Sequence, residues 1–256
     1  MIDLISDLYV EYWNEYDWVI NKKNDIVLIL GDISTDLRRV IDELNKACDV
    51  YSMVLFIDGN HESFIYNQID LNYAISYIEK MMAARLNFIS LYTNHFEIND
   101  YVFIGINGWW DFEVSYSNLS KDKCIHNFIE MNPKCMNVDI FIKNAKSNYD
   151  ILHKKIKEIP NTKKIVVCTH TVPHRLCLEQ NDFSNITDNG HLCNSQMEEF
   201  MDYSQIVGFL YGHVHCPSVQ IINNKFFVNH ARGRNKKQKH AVYYKPYDLK
   251  DILVVN

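Results

Sequence analysis

Five short segments carry side chains that bind metal ions well: Ser6-Asp7-Leu8-Tyr9, Gly31-Asp32, Asp58-Gly59-Asn60-His61-Glu62, Thr169-His170 and Gly212-His213-Val214-His215. Carboxylate oxygens, an amide oxygen and imidazole nitrogens suit divalent transition metals. Asp32 offers two oxygens and can bridge two cations. Asn60 offers a neutral carbonyl oxygen. In His213-x-His215 both rings lie on one side if the segment is extended, so they can serve neighbouring metals. Two cations about 3.5–4 Å apart can clamp a phosphate, activate a water and steady a leaving oxygen. Each segment alone has a plainer reading. Gly-Asp after a strand is usually a turn, and a single His170 is more often a hydrogen-bonded, half-buried side chain than a ligand. Together, and in this order, they point to metal-assisted chemistry on a phosphate ester.

Each segment follows an apolar run. Ile2–Ile5, Ile26–Leu30, Met53–Ile57, Ile165–Cys168 and Ile206–Leu210 read as buried strands, and Val102–Ile106 as one more. In α/β sheets, ligands gather at the carboxyl ends of strands. Gly31, Gly59 and Gly212 permit sharp turns there, so that the next side chain enters the site. Leu37, Val40, Ile41 and Leu44 have helical spacing, as do Leu71, Ala74, Ile75 and Ile78, with Met82 a turn later. Phe141, Ala145, Leu152, Ile156 and Ile159 mark a third helix that stops at Pro160. Asn223-Asn224 between Val219–Ile222 and Phe226–Val228 predicts a hairpin. The alternation predicts an α/β class with a largely parallel core. The hairpin and the Phe96–Ile106 region add antiparallel strands.

The chain has 256 residues, 47% of them apolar and 23% charged, enough for one large core. No composition break, linker or repeat divides it, so a single domain over residues 1–256 is expected. A net charge of −6 weighs against a general nucleic-acid binder. The first residues lack a basic n-region, and no apolar window reaches about 18 residues, so neither a signal peptide nor a membrane span is expected. Seven scattered cysteines without a CxxC pair suggest free thiols in a reducing compartment, the cytoplasm.

The five segments resemble the calcineurin-like metallophosphoesterases, whose pattern is Asp-x-His, Gly-Asp, Gly-Asn-His-(Asp/Glu), a lone His and Gly-His-x-His. The likeness runs from residue 7 to residue 215. Gly108-Trp109-Trp110-Asp111-Phe112 resembles the Leu-Trp-Thr-Asp-Phe segment of a bacterial-type subgroup. Met131-Asn132 and Asn229-His230-Ala231-Arg232-Gly233 fall where that subgroup has short signatures. The resemblance implies a four-layer α/β/β/α sandwich of two mixed sheets flanked by helices, with two metal ions (Mn, Fe or Zn) at one edge. It implies that Asp32 bridges, that Asp7 and His215 hold the first metal, and that Asn60, His170 and His213 hold the second. His61 would not ligate; it would stabilise the transition state or protonate the leaving oxygen. Asp58 and Glu62 are candidates for orienting His61, and Glu62 could equally serve as a helix N-terminal charge.

Tyr9 stands where the family has its first histidine. As a phenolate it would be a metal ligand, which favours ferric iron because a phenol has a pKa near 10. Purple acid phosphatases use a tyrosine in this way, from a position after the Gly-Asp motif. Alternatively, Tyr9 packs or hydrogen-bonds at the rim, and the first metal loses a ligand. Trp109 and Trp110 are candidates to stack a nucleobase or line the substrate pocket, the plainer reading being core. Arg175 could reach a substrate phosphate. His174 and His191 read as structural or solvent-facing, and His95, His126 and His153 carry no assigned role. Arg232, Arg234, Lys236, Lys237 and Lys239 read as a solvated basic loop, with a phosphate-rich substrate or nucleic acid as the sharper alternative.

The expected activity is hydrolysis of a phosphomonoester or phosphodiester by direct attack of a metal-bound hydroxide, on a substrate that could be a nucleotide. A nuclease or cyclic-nucleotide phosphodiesterase is the alternative that the Trp pair and the basic run motivate. A non-catalytic nucleotide- or protein-binding module with a degenerate metal site is the one that Tyr9 motivates.

Overall fold

Ile26-Val27-Leu28-Ile29-Leu30 is apolar at every position, the pattern of a strand covered on both faces. In the computed structural model it is β2 (Ile26–Leu30), between the parallel neighbours β1 (Ile2–Ile5) and β3 (Met53–Ile57). Residues 1–13, 18–64, 70–135, 137–179, 188–234, 236–237, 239–242 and 244–253 are described. β4 (Phe88–Ser90) extends the sheet in parallel beside β3. A second sheet holds β5 (Phe96–Ile98), β6 (Tyr101–Ile106), β7 (Lys164–Thr169), β8 (Ile206–Tyr211), β9 (Ser218–Ile222) and β10 (Lys225–Asn229), in the order β5-β6-β7-β8-β10-β9. β11 (Tyr247–Asp248) returns to the first sheet, antiparallel to β1. β5 and β9 are the antiparallel edges of the second sheet, so both sheets are mixed.

Side-chain alternation makes the layers. Leu28, Leu30, Leu55 and Ile57 point between the sheets, where they meet Phe103, Val166, Cys168, Leu210 and Val228. Val27, Ile29, Val54 and Phe56 point outward to α1 (Leu37–Val50) and, beyond the short helix α2 (Asn60–Phe64), to α3 (Tyr73–Met82). After α4 (Lys121–Met131), α5 (Asp139–Glu158) covers the second sheet through Leu152 and Ile156, against Ile104, Ile165, Val167 and Phe209. The result is the four-layer α/β/β/α sandwich. Asp36 caps α1 by accepting from Arg38 N at 2.9 Å. Asn223 and Asn224 take left-handed φ values of 51° and 62°, which close the predicted hairpin between β9 and β10. The strands β4 and β11 have three and two residues, too short to leave a period in the sequence. None of the seven cysteines is in a disulfide. Among the described residues no helix is long and apolar enough to cross a membrane.

Leu55 has no exposed surface and lies between the sheets. Leu55→Ala is expected to lower the unfolding free energy by about 2–5 kcal/mol. Urea unfolding measures this, and a loss under about 1 kcal/mol would contradict a shared core between the sheets.

Candidate metal centre

The carboxyl ends of β1, β2, β3, β7 and β8 bring the five segments together, with Asp32 at their centre. Asp32 is fully buried. Its Oδ1 accepts from the His61 amide at 2.8 Å. Its Oδ2 accepts from Tyr9 Oη at 2.5 Å and lies 3.4 Å from His170 Nε2 and 4.0 Å from His61 Nε2. Burial alone would push its pKa up. His170 and His61, with hydrogen bonds from His170 and Tyr9, overcome this and hold it well below the usual carboxylate range.

The backbone around Asp32 is fixed by Glu62. Its two oxygens accept from three amides: Asp32 at 2.9 Å, Gly59 at 2.8 Å and Ile33 at 2.6 Å. Glu62 therefore ties the β2 turn to the β3 turn rather than orienting His61. Asp58 does not orient His61 either. Its carboxylate faces Asn107 Nδ2 at 3.4 Å, and burial raises its pKa to about 7. Among the described residues His61 Nδ1 is buried without a hydrogen-bond partner.

On one side of Asp32 stand Asn60, His170 and His213. His170 Nδ1 lies 2.7 Å from Leu30 O. A carbonyl only accepts, so Nδ1 carries the proton, and Nε2 is left facing Asp32 and, at 3.0 Å, Asn60 Oδ1. His213 is the mirror case. Its Nε2 faces His191 O at 3.1 Å, which leaves Nδ1 toward Asn60 Oδ1 at 2.9 Å. The ligand atoms of Asp32, His170 and His213 all lie within 4.8 Å of one another. Burial, then His191 and His170, push the His213 pKa well down, so its imidazole is neutral. Burial also opposes charge on His170, but Asp32 and Asp7 outweigh it and raise its pKa to about 10, so without a metal Nε2 also carries a proton toward Asp32, and a cation would take that proton's place.

On the other side stand Asp7, His215 and Tyr9. Asp7 Oδ2 accepts from Ser6 Oγ at 2.5 Å and from His213 N at 2.9 Å. Asp7 Oδ1 is buried, makes no hydrogen bond among the described residues and faces His215 Nε2 at 3.3 Å. His215 Nε2 is also 3.3 Å from Tyr9 Oη. An unbonded, buried carboxylate oxygen among further acceptors is an environment that a cation satisfies. These Asp, Asn and His donors fit Mn, Fe or Zn.

Tyr9 is 1% exposed, so it is not at the rim. Its ring is wedged between the rings of His61 and His215, with centroids 5.1 and 5.2 Å away. Two oxygens 2.5 Å apart share a proton, which makes the phenol a donor to Asp32. Burial, then Asp32 and Asp7, push its pKa well above the ordinary value. This geometry supports the hydrogen-bonding role over the phenolate.

Asp7, Tyr9, Asp32 and His213 have left-handed backbone, with φ of 53°, 45°, 52° and 66°. Non-glycine residues adopt it rarely, and it clusters at functional sites. Of the three motif glycines only Gly31 has a positive φ, 77°. Gly59 and Gly212 serve close approach. A Cβ on Gly59 would collide with Asp32 Oδ1, and one on Gly212 would collide with Ser6 Oγ.

Trp109 and Trp110 are each 1% exposed, which corrects their substrate-binding expectation. Trp110 stacks on Phe141 at 5.1 Å and backs the His213 ring at 6.0 Å. Arg175 is engaged by both oxygens of Glu198, at 2.7 and 2.9 Å, and lines a surface pocket of about 310 Å³ with Glu113, Tyr116 and Leu178. None of the metal-binding candidates lines that pocket. His191 Nδ1 faces Asn189 Oδ1, and the His191 carbonyl sets the His213 tautomer. The basic run is not wholly a solvated loop: Arg232 is fully buried, with Nε donating to Ala241 O at 2.9 Å.

The close approach at Gly59 can be tested directly. Gly59→Ala should displace Asp32 and weaken Mn²⁺ binding by about tenfold or more, as read by titration calorimetry. An unchanged titration would contradict this role.

The signature of the calcineurin-like phosphoesterases matches residues 2–217. The protein L509 of Acanthamoeba polyphaga mimivirus is 26% identical over 280 residues, covering 98% of both chains. The phosphopantetheinyl hydrolase PptH of Mycobacterium tuberculosis has the same fold, with a TM-score of 0.73 at 13% identity over 96% of this chain and 95% of that one. The family match takes in every donor from Asp7 to His215, and the chain belongs to the calcineurin-like phosphoesterases, metal-dependent hydrolases of phosphoric esters.

Proposed function

We propose that this chain hydrolyses a phosphomonoester or phosphodiester at a binuclear centre that Asp32 bridges. The observation that carries this reading is the placement of Asp32 Oδ2, 2.5 Å from Tyr9 Oη in one donor set and 3.4 Å from His170 Nε2 in the other. Asp7 and His215 hold one metal, and Asn60, His170 and His213 hold the other. Tyr9 donates to the bridging carboxylate. The metals, when bound, supply positive charge for the phosphoryl group and lower the pKa of a water.

The chain supplies the remaining functions. Leu30 O and His191 O fix the tautomers of His170 and His213. Glu62 and the Gly59 approach hold the bridge rigid. His61 borders the mouth with its side chain 19% exposed. Its role in this reading is to give a proton to the leaving oxygen. The nuclease alternative loses the Trp pair as support, since both rings are core. A phosphopantetheinyl ester is one substrate to test, because PptH shares the fold.

Asp32→Asn is expected to lower metal content below two per chain and to reduce turnover of bis-p-nitrophenyl phosphate by at least about a hundredfold. Elemental analysis and steady-state kinetics read both. Metal-free wild-type protein working at the full rate would contradict the reading. His61→Ala should keep its metals and lose roughly 10²–10⁴ in kcat. Loss of metal in that variant would instead make His61 a ligand.

A further inference from the structure

The site as described gives Arg234 no part in the reaction. The loop after β10 is tied to the first donor set, because Arg232 N donates to Ser6 O and Gly233 N to Asp7 O, both at 3.0 Å. Gly233, at φ 79°, packs so tightly that a Cβ there would lie 2.8 Å from His215 Cβ. The buried Arg232 guanidinium stands 4.0 Å over the Trp13 ring. One residue beyond this anchor Arg234 is exposed, with its guanidinium carbon 4.7 Å from the Tyr9 ring centre and 5.9 Å from that of Tyr12. The Tyr9 ring is the one wedged between His61 and His215, whose side chains are 19% and 27% exposed. A guanidinium thus stands beside the two histidines that border the mouth, on a backbone pinned to a metal-binding segment.

We propose that Arg234 binds the phosphoryl group of the substrate and biases the site toward a terminal, dianionic phosphate, that is, a phosphomonoester. The inference rests on the phosphoesterase reading above. A monoester phosphate has three non-bridging oxygens and a charge near −2 at neutral pH, because its second pKa is about 6. A diester has two such oxygens and a single charge. A planar guanidinium presents paired N–H donors matched to two phosphate oxygens, and each charge-assisted contact strengthens with the charge of its partner. Arg175, the arginine that its place after His170 suggested for this task, is taken up by Glu198. Arg234 instead leans on the Tyr9 ring and hydrogen-bonds the Tyr12 side chain, a neutral group that positions a cation without neutralising it.

The probe is inorganic phosphate, titrated calorimetrically into Mn²⁺-loaded full-length protein. Arg234→Ala should weaken phosphate binding by roughly tenfold or more with the metal content unchanged, and Arg234→Lys should restore part of it. KM for p-nitrophenyl phosphate should rise more than KM for bis-p-nitrophenyl phosphate. Phosphate affinity within about twofold of wild type in Arg234→Ala would overturn the proposal, and so would metal loss in that variant. Equal effects on both esters would overturn the monoester bias. Turnover by wild type with Arg234-independent phosphate binding would sink this inference alone. Arg234-dependent phosphate binding without turnover would sink the hydrolase reading and leave the binding role standing.

Discussion

A carboxylate with no exposed surface must be surrounded by donors or cations, and much of this structure follows from meeting that need at Asp32. The His61 amide and the Tyr9 hydroxyl supply hydrogen bonds, and His170 stands 3.4 Å away. None of these donors is local in sequence. They come from the ends of different strands, so the anion can be held only where the carboxyl ends of both sheets meet. That meeting exists because alternate residues of β1–β3, β6–β8 and β10 fill one layer between the sheets. Hydrophobic packing sets the distance between the two halves of the site, and the polar contacts set its geometry.

The local cost is visible in the backbone. Asp7, Tyr9, Asp32 and His213 all carry positive φ, a conformation that disfavours side chains by about 1–3 kcal/mol each. They are held there by hydrogen bonds that cross between segments, such as Asp7 N to Gly31 O and Tyr9 N to Asp32 O, at 3.0 and 3.1 Å. Glu62 adds three amide contacts to the same turns. Rigid donors of this kind need little reorganisation when a cation or a phosphoryl group arrives, which is the physical content of preorganisation.

The metal-binding candidates were legible in the sequence because each follows an apolar run directly, and strand ends are a short-range signal. Asp7, Asp32, Asn60, His170, His213 and His215 all meet at one edge in the structure. What could not be read were effects of residues distant in the chain. Glu62 looked like a partner for its neighbour His61, yet its partners include the amides of Asp32 and Ile33, about thirty residues earlier. His191 acts through its backbone carbonyl, which no side-chain pattern reveals. Trp109 and Trp110 had the right composition for a binding platform, but α4 and α5 cover them, together with Phe128 and Phe141. Arg232 and Arg234 sat in one undifferentiated basic run, and only the fold separates the buried one from the one at the mouth. The strands β4 and β11 were missed for their shortness.

The central claim is that one buried carboxylate joins two metal positions. Anomalous diffraction from crystals of the Mn²⁺-loaded protein tests it most directly. The account predicts two peaks about 3.5–4 Å apart on either side of the Asp32 carboxylate, one beside Asn60, His170 and His213 and the other beside Asp7 and His215. A single peak, or two peaks that do not share Asp32, would contradict it.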